Sequence, residues 1–540
     1  MLKLKQSPFD RLKGLKQNWK VDSLSGFIVF LIALPLSLGI AMASGVPPIA
    51  GLFAAIIGGL VVSQMSGSFV TINGPAAGLI VVILHGVEVL GRGDPMAGYR
   101  AVLAATVISG VILAIAGIIK AGRLGDLFPS SAVHGMLASI GVVIMVKQFH
   151  TALGVAPLAK STFGLIAEIP SSLSNLNPEI AFISAISFVL LIGLPMAKSK
   201  WVRMIPAPMV VVLIGIGLGH FFDLEHTHKY LFQQGHQFDV GPKFLVTLPA
   251  RLTDGVTFPD FSSLFSMPFV MTVFSLTLVQ GLETLLSASA VDRFDPHNRK
   301  TNLNRDLTAV GVGSALSGLI GGLPMIAEIV RSRANVSNGA QTRWANTFHG
   351  AFMLLFVALV PSLIHQIPLA TLATILVVTG YRLASPSQFK HTLEIGPEQL
   401  LIFTATLVTA LATDLLVGVG TGVAVEMLVH LFRGVPIRTL FKPDMSWNES
   451  NGLIRVQFRR GAIFSNYLGI KAQLDKIPTG RRVELDLSKA DFVDHTVMER
   501  LNGYISDYRL GGGTIDMTGL EGFQTAAEHP LAARRRMKTA

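Results

Sequence analysis

The 540-residue chain is read as an α-helical polytopic membrane protein followed by a small cytoplasmic α/β domain, and three observations carry that reading. Half of the residues are hydrophobic and only 14% are charged, whereas a soluble protein carries about 25% charge. Mean hydropathy is +0.55. Long apolar runs recur as far as Arg433, after which charged, alternating segments take over.

The first 23 residues are basic (Lys3, Lys5, Arg11, Lys13, Lys16, Lys20). They lack the short apolar run and small-residue cleavage site of a secretory signal, and so read as a retained cytoplasmic end. About 20 apolar residues cross a bilayer as a helix. Runs of that kind cover 24–43, 46–65, 97–119, 126–149, 178–197, 207–222, 267–291, 344–365, 368–383, 396–412 and 414–432. Residues 69–90 and 321–337 are short and interrupted, and 306–320 is short. The total is about 14 spans in two sets of seven. With the amino end inside, the inside loops (Lys120, Arg123; Lys198, Lys200, Arg203; Arg293, Arg299, Lys300, Arg305; Arg343; Arg382, Lys390) are richer in cations than the outside loops (Arg92, Arg100, Lys160, Lys229, Lys243, Arg251), although the outside loop 223–265 is long. That is the positive-inside pattern, and it places both ends in the cytoplasm. The +11 net charge thus belongs to orientation, and no compact basic domain with stacking aromatics points to nucleic acid. Residues 434–448, with Pro436 and Pro443, read as a linker. Residues 449–534 alternate strands ("GLIRVQF", "RVELDLS", "GTIDMTGL") with amphipathic stretches near 464–476 and 496–509, an α/β pattern. Residues 535–540 form a basic tail.

The interrupted segments hold the interest. In "SGSFVTINGPAAGLIVVIL", Phe69–Ile72 has β character, Asn73-Gly74-Pro75 reads as a turn, and a helix follows. In "GGLPMIAEIVRSRANV", Gly321-Gly322-Leu323-Pro324 leads into a short helix beginning near Ala327. Both stand third in their set of seven. Paired broken segments are the sequence mark of a transporter site at an inverted-repeat interface. A half-helix starting in mid-membrane presents unpaired N–H groups and the positive end of its dipole, and two such ends favour an anion. Arg331 adds a full charge; an arginine at this depth costs roughly 2.5 kcal/mol or more unless paired or hydrated, which marks a functional site. Glu328, three residues earlier, is placed for an ion pair with it. Arg333, nearer the end, reads as snorkelling.

Glu283, in "LVQGLETLLSASA", is a second intramembrane acid, with Gln280, Thr284 and Ser287 nearby. Such a carboxyl suits proton carriage with the substrate. In the fifth span His134 reads as packing or hydrogen bonding and Lys147 as snorkelling outward. The outside loop carries His220, His226, His228 and His236 without a spacing that fixes a metal. No cysteine is present, so thiolate sites are excluded, and no phosphate-binding loop pattern indicates ATP drive. Nothing points to an enzyme.

Taken together, "ALPLSLGIAMASGVPPIAGLFAAIIGGL", "INGPAAG", "ETLLSASAVDRF" and "GGLPMIAEIVRSRANVSNGAQTR" resemble the SulP (sulfate permease) family of anion transporters. The C-terminal part resembles a STAS domain. The resemblance implies the uracil-permease-like fold: fourteen spans in two inverted repeats of seven, core and gate domains, and a homodimer, with substrate between spans 3 and 10. Carried over by resemblance, the substrate site comprises Pro35 and Ser37 on a broken first span, Asn73, Gly74, Pro75 and Ala76 at the third, and Ala327, Glu328 and Arg331 at the tenth. Glu283 and Ser287 fall at the family's ion-coupling positions, where a glutamate favours H+, with Na+ the other candidate. In "LDLSKADFVDHTVMERL", Thr496 matches a hydroxyl that is phosphorylated in soluble STAS proteins; helix capping is the plainer role for this segment. Met325, Ile326 and Glu328 depart from the small or hydroxyl residues many members carry, a version seen in a branch suited to bicarbonate.

The function expected is therefore secondary active transport of a small oxyanion, sulfate or similar, by proton-coupled alternating access in the inner (plasma) membrane. The alternatives are a bicarbonate or dicarboxylate transporter, or a passive anion channel or exchanger. No cofactor and no nucleic-acid partner are expected; a cytosolic regulator acting through the STAS domain is.

Overall fold

The computed structural model describes residues 8–159, 161–199, 202, 205–232 and 236–537. The roles expected of Lys3, Lys5, Lys160, Lys200, Arg203 and tail residues 538–540 lie outside them, as does the side chain of His236. Two compact units form, residues 1–122 with 140–382, and residues 123–139 with 383–540.

The first unit is built from helices that start where the sequence supplies a cap. In chain order these are α1 (Arg11–Ala43), α2 (Pro48–Met65), α3 (Ala77–Gly91), α4 (Pro95–Ile118), α5 (Ser130–Ala152), α6 (Thr162–Ser174), α7 (Pro178–Met196), α8 (Ala207–Phe221) and α9 (Met267–Asp292). They continue with α10 (Leu303–Leu319), α11 (Ile329–Ser337), α12 (Trp344–Leu359) and α13 (Leu369–Leu383). Asp94 Oδ1 accepts the N–H groups of Met96 (2.8 Å) and Ala97 (3.2 Å) to open α4, with Pro95 at the first position, where a missing N–H goes unnoticed. Asn177 before Pro178, and Ser266 before Pro268, open α7 and α9 in the same way. Among the described residues eight helices are long and apolar enough to cross a membrane, and four more apolar helices of 10–17 residues include α3, α8 and α12. Phe30, Leu38, Leu52, Phe53, Val211, Met353, Leu372 and Ile375 form the core among α1, α2, α8, α12 and α13.

The first helix corrects one expectation. α1 begins at Arg11, not 24, and runs unbroken for 33 residues through Pro35 and Ser37. At 1.5 Å per residue it is about 50 Å long, more than the roughly 30 Å of hydrocarbon it must cross. Proline removes one helical hydrogen bond without ending the helix, as membrane helices tolerate when neighbours pack around them.

Two short strands stand where the spans were read as interrupted. β1 (Ile72–Pro75) and β4 (Met325–Glu328) pair antiparallel, with Ile72 opposite Glu328 and Pro75 opposite Met325. Asn73-Gly74-Pro75 is thus strand and not turn, and the second half-helix begins at Ile329 instead of Ala327. Each extended piece finds its backbone partner in the other half of the chain, which is how non-helical backbone survives at this depth. The connection 223–265 carries a hairpin, β2 (His228–Phe232) with β3 (His236–Val240).

Glycine crossings repeat the relation between halves. Gly110 of α4 lies on Gly311 of α10, and Gly59 of α2 lies on Gly350 of α12. Shifting by seven spans turns second into ninth and fourth into eleventh, so the two crossings exchange, as a two-fold repeat requires. A Cβ at Gly350 would come within 2.7 Å of the Gly59 Cα, whereas one at Gly217 on α8 meets nothing within 4 Å. Gly350→Leu is expected to lower the thermal unfolding midpoint through an overpacking cost of about 1–3 kcal/mol or more. Gly217→Leu should leave the midpoint in place; equal midpoints for the two variants would deny the crossing its role.

The second unit holds the first turns of α5, then α14 (Pro386–Ile395), α15 (Pro397–Ala412) and α16 (Leu415–Phe432), and a six-stranded sheet. The sheet comprises β5 (Asp444–Ser450), β6 (Leu453–Ala462), β7 (Arg482–Val493), β8 (Thr514–Thr518), β9 (Phe523–Thr525) and β10 (Arg534–Arg536), in the order β5-β6-β7-β10-β9 with β8 also on β7. Parallel β6, β7 and β8 are joined through α17 (Tyr467–Leu474) and α18 (His495–Leu510), the crossover units the alternating pattern implies. The sheet starts at Asp444, inside the stretch read as linker, because β5 pairs residue for residue with β6.

Candidate functional site

The β1–β4 ribbon is held by side chains from several helices. Gln280 Nε2 on α9 donates to the Met325 carbonyl at 2.7 Å and to Ser314 Oγ, which accepts the Met325 N–H at 3.1 Å. The Ile72 N–H donates to Ser332 Oγ at 2.8 Å, and Asn335 Nδ2 to the Val70 carbonyl at 2.8 Å. Ser25 Oγ donates to Asn335 Oδ1 at 2.7 Å. Asn346 Nδ2 on α12 reaches Asn73 Oδ1 at 3.1 Å, and Asn346 Oδ1 lies 3.3 Å from His349 Nδ1. The ribbon is a fixed platform: its backbone groups are bonded from α9, α10 and α11.

Because the strands are antiparallel, the half-helices leave from opposite ends. The start of α3 follows Pro75 and the start of α11 follows Glu328, one ribbon length of about 10 Å apart at 3.4 Å per residue. Both positive helix ends therefore flank the same four residue pairs.

Arg331, the third residue of α11, is 1% exposed. Its Nη2 donates to the Pro75 carbonyl at 3.4 Å and lies 3.8 Å from Glu328 Oε1. That separation is an ion contact, too long for a hydrogen bond. Its Nη1 packs on Gly74, where an added Cβ would come within 2.6 Å. Neither Nε nor Nη1 has a hydrogen-bond partner among the described residues, and Asn73 Nδ2, Ser37 Oγ and Thr284 Oγ1 also lack one. A buried donor without an acceptor costs about 1–3 kcal/mol, more when charged. Two buried acceptors at the ribbon, Glu328 Oε1 and Gln280 Oε1, also lack a hydrogen-bond partner among the described residues.

The other expected residues fall into place one by one. Gly74 sits beside Arg331, Ala76 is buried between β1 and α3, and Ala327 is buried opposite Asn73. Ser37 is buried on α1, which packs against β1. Pro35 lines instead an apolar cavity of about 260 Å³ with Phe30, Leu34, Met209, Val212 and Ile364. Glu283, 6% exposed on α9, packs against the first turn of α3, where a Cβ at Gly78 would overlap its carboxylate; Ser287, also buried, lies one turn on. Arg333 is exposed, its guanidinium 5.3 Å from the Phe294 ring centre. Lys147 does not snorkel: its Nζ donates to the Ala43 carbonyl at 3.2 Å, closing the end of α1. His134 is exposed. Of the described histidines on this side, His226 Nδ1 bonds Asp223 Oδ1 at 2.7 Å and His220, near the end of α8, faces Gln366 Oε1 through Nε2 at 3.4 Å. Thr496 is fully buried, its Oγ1 accepting the Ser130 N–H at 3.2 Å, and the residue capping α18 is Asp494. Asn346, His349, Ser332 and Asn335 are additions. Asn346 and His349 stood in an apolar run at i,i+3, a signal that an intramembrane polar pair provides.

Half-helices rising from a paired ribbon inside a bundle of apolar helices, beside a buried arginine, define a broken-helix membrane transport protein. The sulfate permease family model matches residues 20–406. The putative sulfate transporter YvdB of Bacillus subtilis is 27% identical over 426 residues, covering 78% of this chain and 76% of that protein. The bicarbonate transporter BicA of Picosynechococcus is 26% identical over 420 residues, 77% of this chain and 71% of that one. The solved structure of murine solute carrier 26 family member A9, an anion transporter in the inward-facing state, shares the fold with a TM-score of 0.65 at 15% identity, over 96% of this chain and 90% of that one. The chain belongs to the sulfate permease family. It is a multi-pass membrane transport protein and not an enzyme.

Proposed function

We propose that the chain carries a small oxyanion, sulfate or one similar, across the inner (plasma) membrane by proton-coupled alternating access. One observation supports this above the rest: the buried Arg331 guanidinium has two nitrogens, Nε and Nη1, without an acceptor among the described residues, beside a ribbon flanked by two helix starts. The oxyanion would accept from Arg331, with Asn73 and Ser37 within the same polar layer, and Glu283 at the first turn of α3 would carry the proton. Residues 24–433 form the transport domain, and the α/β domain that follows is a STAS domain through which a cytosolic regulator acts. The protein works as a homodimer with both ends in the cytoplasm.

Bicarbonate is the second reading, supported by Met325, Ile326 and Glu328 at the tenth-span opening and by the likeness to a bicarbonate transporter. Purified protein in proteoliposomes, offered labelled sulfate, bicarbonate and succinate with and without imposed H+ or Na+ gradients, separates the readings. Sulfate accumulation driven by an inward H+ gradient is the expected result. Bicarbonate accumulation without sulfate uptake would move the assignment to the second reading, and absence of uptake of all three would remove both.

A further inference from the structure

Helix α16 places Glu426 and His430 four residues apart, hence on one face. Within the same unit the sheet brings Asp494, the capping residue of α18, up to them. His430 Nε2 lies 3.6 Å from Asp494 Oδ2 and 3.9 Å from Glu426 Oε1, and one donor atom from each of the three lies within 4.8 Å of the others. Their exposures are 0, 2 and 0% for Glu426, His430 and Asp494. Asp494 is anchored by backbone: Oδ1 accepts the Val497 N–H at 2.6 Å and Oδ2 the Phe464 N–H at 2.5 Å. Glu426 is not: neither carboxylate oxygen has a hydrogen-bond partner among the described residues. The rings of Phe464 and Phe492, 5.7 and 5.4 Å from the imidazole, wall the cluster from water. The Arg500 guanidinium lies nearby and donates to the carbonyls of Asp126 and Phe128.

We propose that Glu426, His430 and Asp494 form a divalent-cation site of the Zn2+ or Co2+ class, joining the last apolar helix to the start of α18. One imidazole nitrogen and two carboxylate oxygens suit these ions, whose bonds of about 2.0–2.2 Å put tetrahedral ligand atoms roughly 3.3–3.6 Å apart. The two imidazole–carboxylate spacings are close to that range already, and the three donor atoms, within 4.8 Å of one another, would draw together by up to about 1 Å around the ion. Two carboxylates balance a dication, so the three ligands and the ion together are neutral in a dry interior. The ion would bind the Glu426 oxygens, which have no hydrogen-bond partner among the described residues. Sequence spacing hides the site because its third ligand lies far along the chain from the other two.

The test uses full-length protein without a polyhistidine tag, stripped with chelator and titrated with Co2+. A visible tetrahedral absorption saturating at about one Co2+ per chain is expected, as is retention of about one Zn2+ after desalting. Glu426→Gln and His430→Gln should weaken Co2+ binding by about 100-fold or more, while His226→Gln, in the exposed 223–265 connection, leaves it unchanged. His430→Cys should keep the ion and add an intense near-ultraviolet thiolate-to-Co2+ band, a signature independent of any folding defect in the glutamine variants. No stoichiometric Co2+ or Zn2+ in the wild type, or undiminished binding with no thiolate band in the His430 variants, would overturn the site; two carboxyls sharing a proton around a neutral imidazole would then account for the cluster.

Discussion

Arg331→Ala is expected to reduce kcat/KM for the transported oxyanion by between about 10² and 10⁴ in proteoliposome flux. The estimate rests on the two guanidinium nitrogens, Nε and Nη1, that have no hydrogen-bond partner among the described residues. Hydrogen bonds from a charged donor contribute about 1.5–3 kcal/mol each, and about 1.4 kcal/mol is a factor of ten. Arg331→Lys retains the charge but not the planar fork, and should recover only part of the loss, since a point charge cannot offer two parallel donors. The contact with Glu328 at 3.8 Å raises a competing account, in which Arg331 serves only to neutralise that carboxylate. Under it, Arg331→Ala would fail because Glu328 is left buried and unpaired, and Glu328→Gln in the same chain would restore transport. Under the substrate role the double variant stays inactive. Flux from Arg331→Ala/Glu328→Gln approaching wild type would therefore end the assignment of Arg331 to the anion.

Residues 69–90 and 321–337 show how far sequence alone reaches. Their interruptions were legible because glycine and proline break apolar runs, and their matching rank in each set of seven marked a shared site. Their pairing was not legible, since the register of Ile72 with Glu328 joins residues 256 positions apart, and no local pattern specifies a partner at that distance. Turn chemistry misled at Asn73-Gly74-Pro75: these residues favour turns in isolation, yet Gly74 is small because Arg331 lies on it and Pro75 presents its carbonyl to the same guanidinium. Pro35 misled similarly, as a break signal inside a helix that packing keeps continuous. Glu328, Arg331 and Glu283 stood out as candidates because charge in an apolar run is conspicuous. Asn346 and His349 were not, being neutral and so less expensive at that depth.

Glu283→Gln is expected to abolish accumulation driven by an H+ gradient while leaving anion exchange between the two sides. Glutamine keeps the shape and a polar end but cannot release a proton, so a carrier that couples through this residue loses its driving force and not its pathway. Each pH unit across the membrane contributes about 1.4 kcal/mol per proton, or tenfold in accumulation. A gradient of about two units should therefore give the wild type up to about 100-fold accumulation per coupled proton, and the variant none. The packing of this carboxyl on Gly78 makes a structural role the rival account, and Gly78→Ala tests it by displacing the side chain without removing the acid. If Glu283 carries the proton, Gly78→Ala slows transport but a proton still moves with each anion, whereas Glu283→Gln uncouples the two. If Glu283 only fills space against α3, both variants fall in rate together and the stoichiometry of what remains is unaltered. Undiminished H+-driven accumulation by Glu283→Gln would place the coupling proton elsewhere, and the remaining acid at this depth beside the ribbon is Glu328.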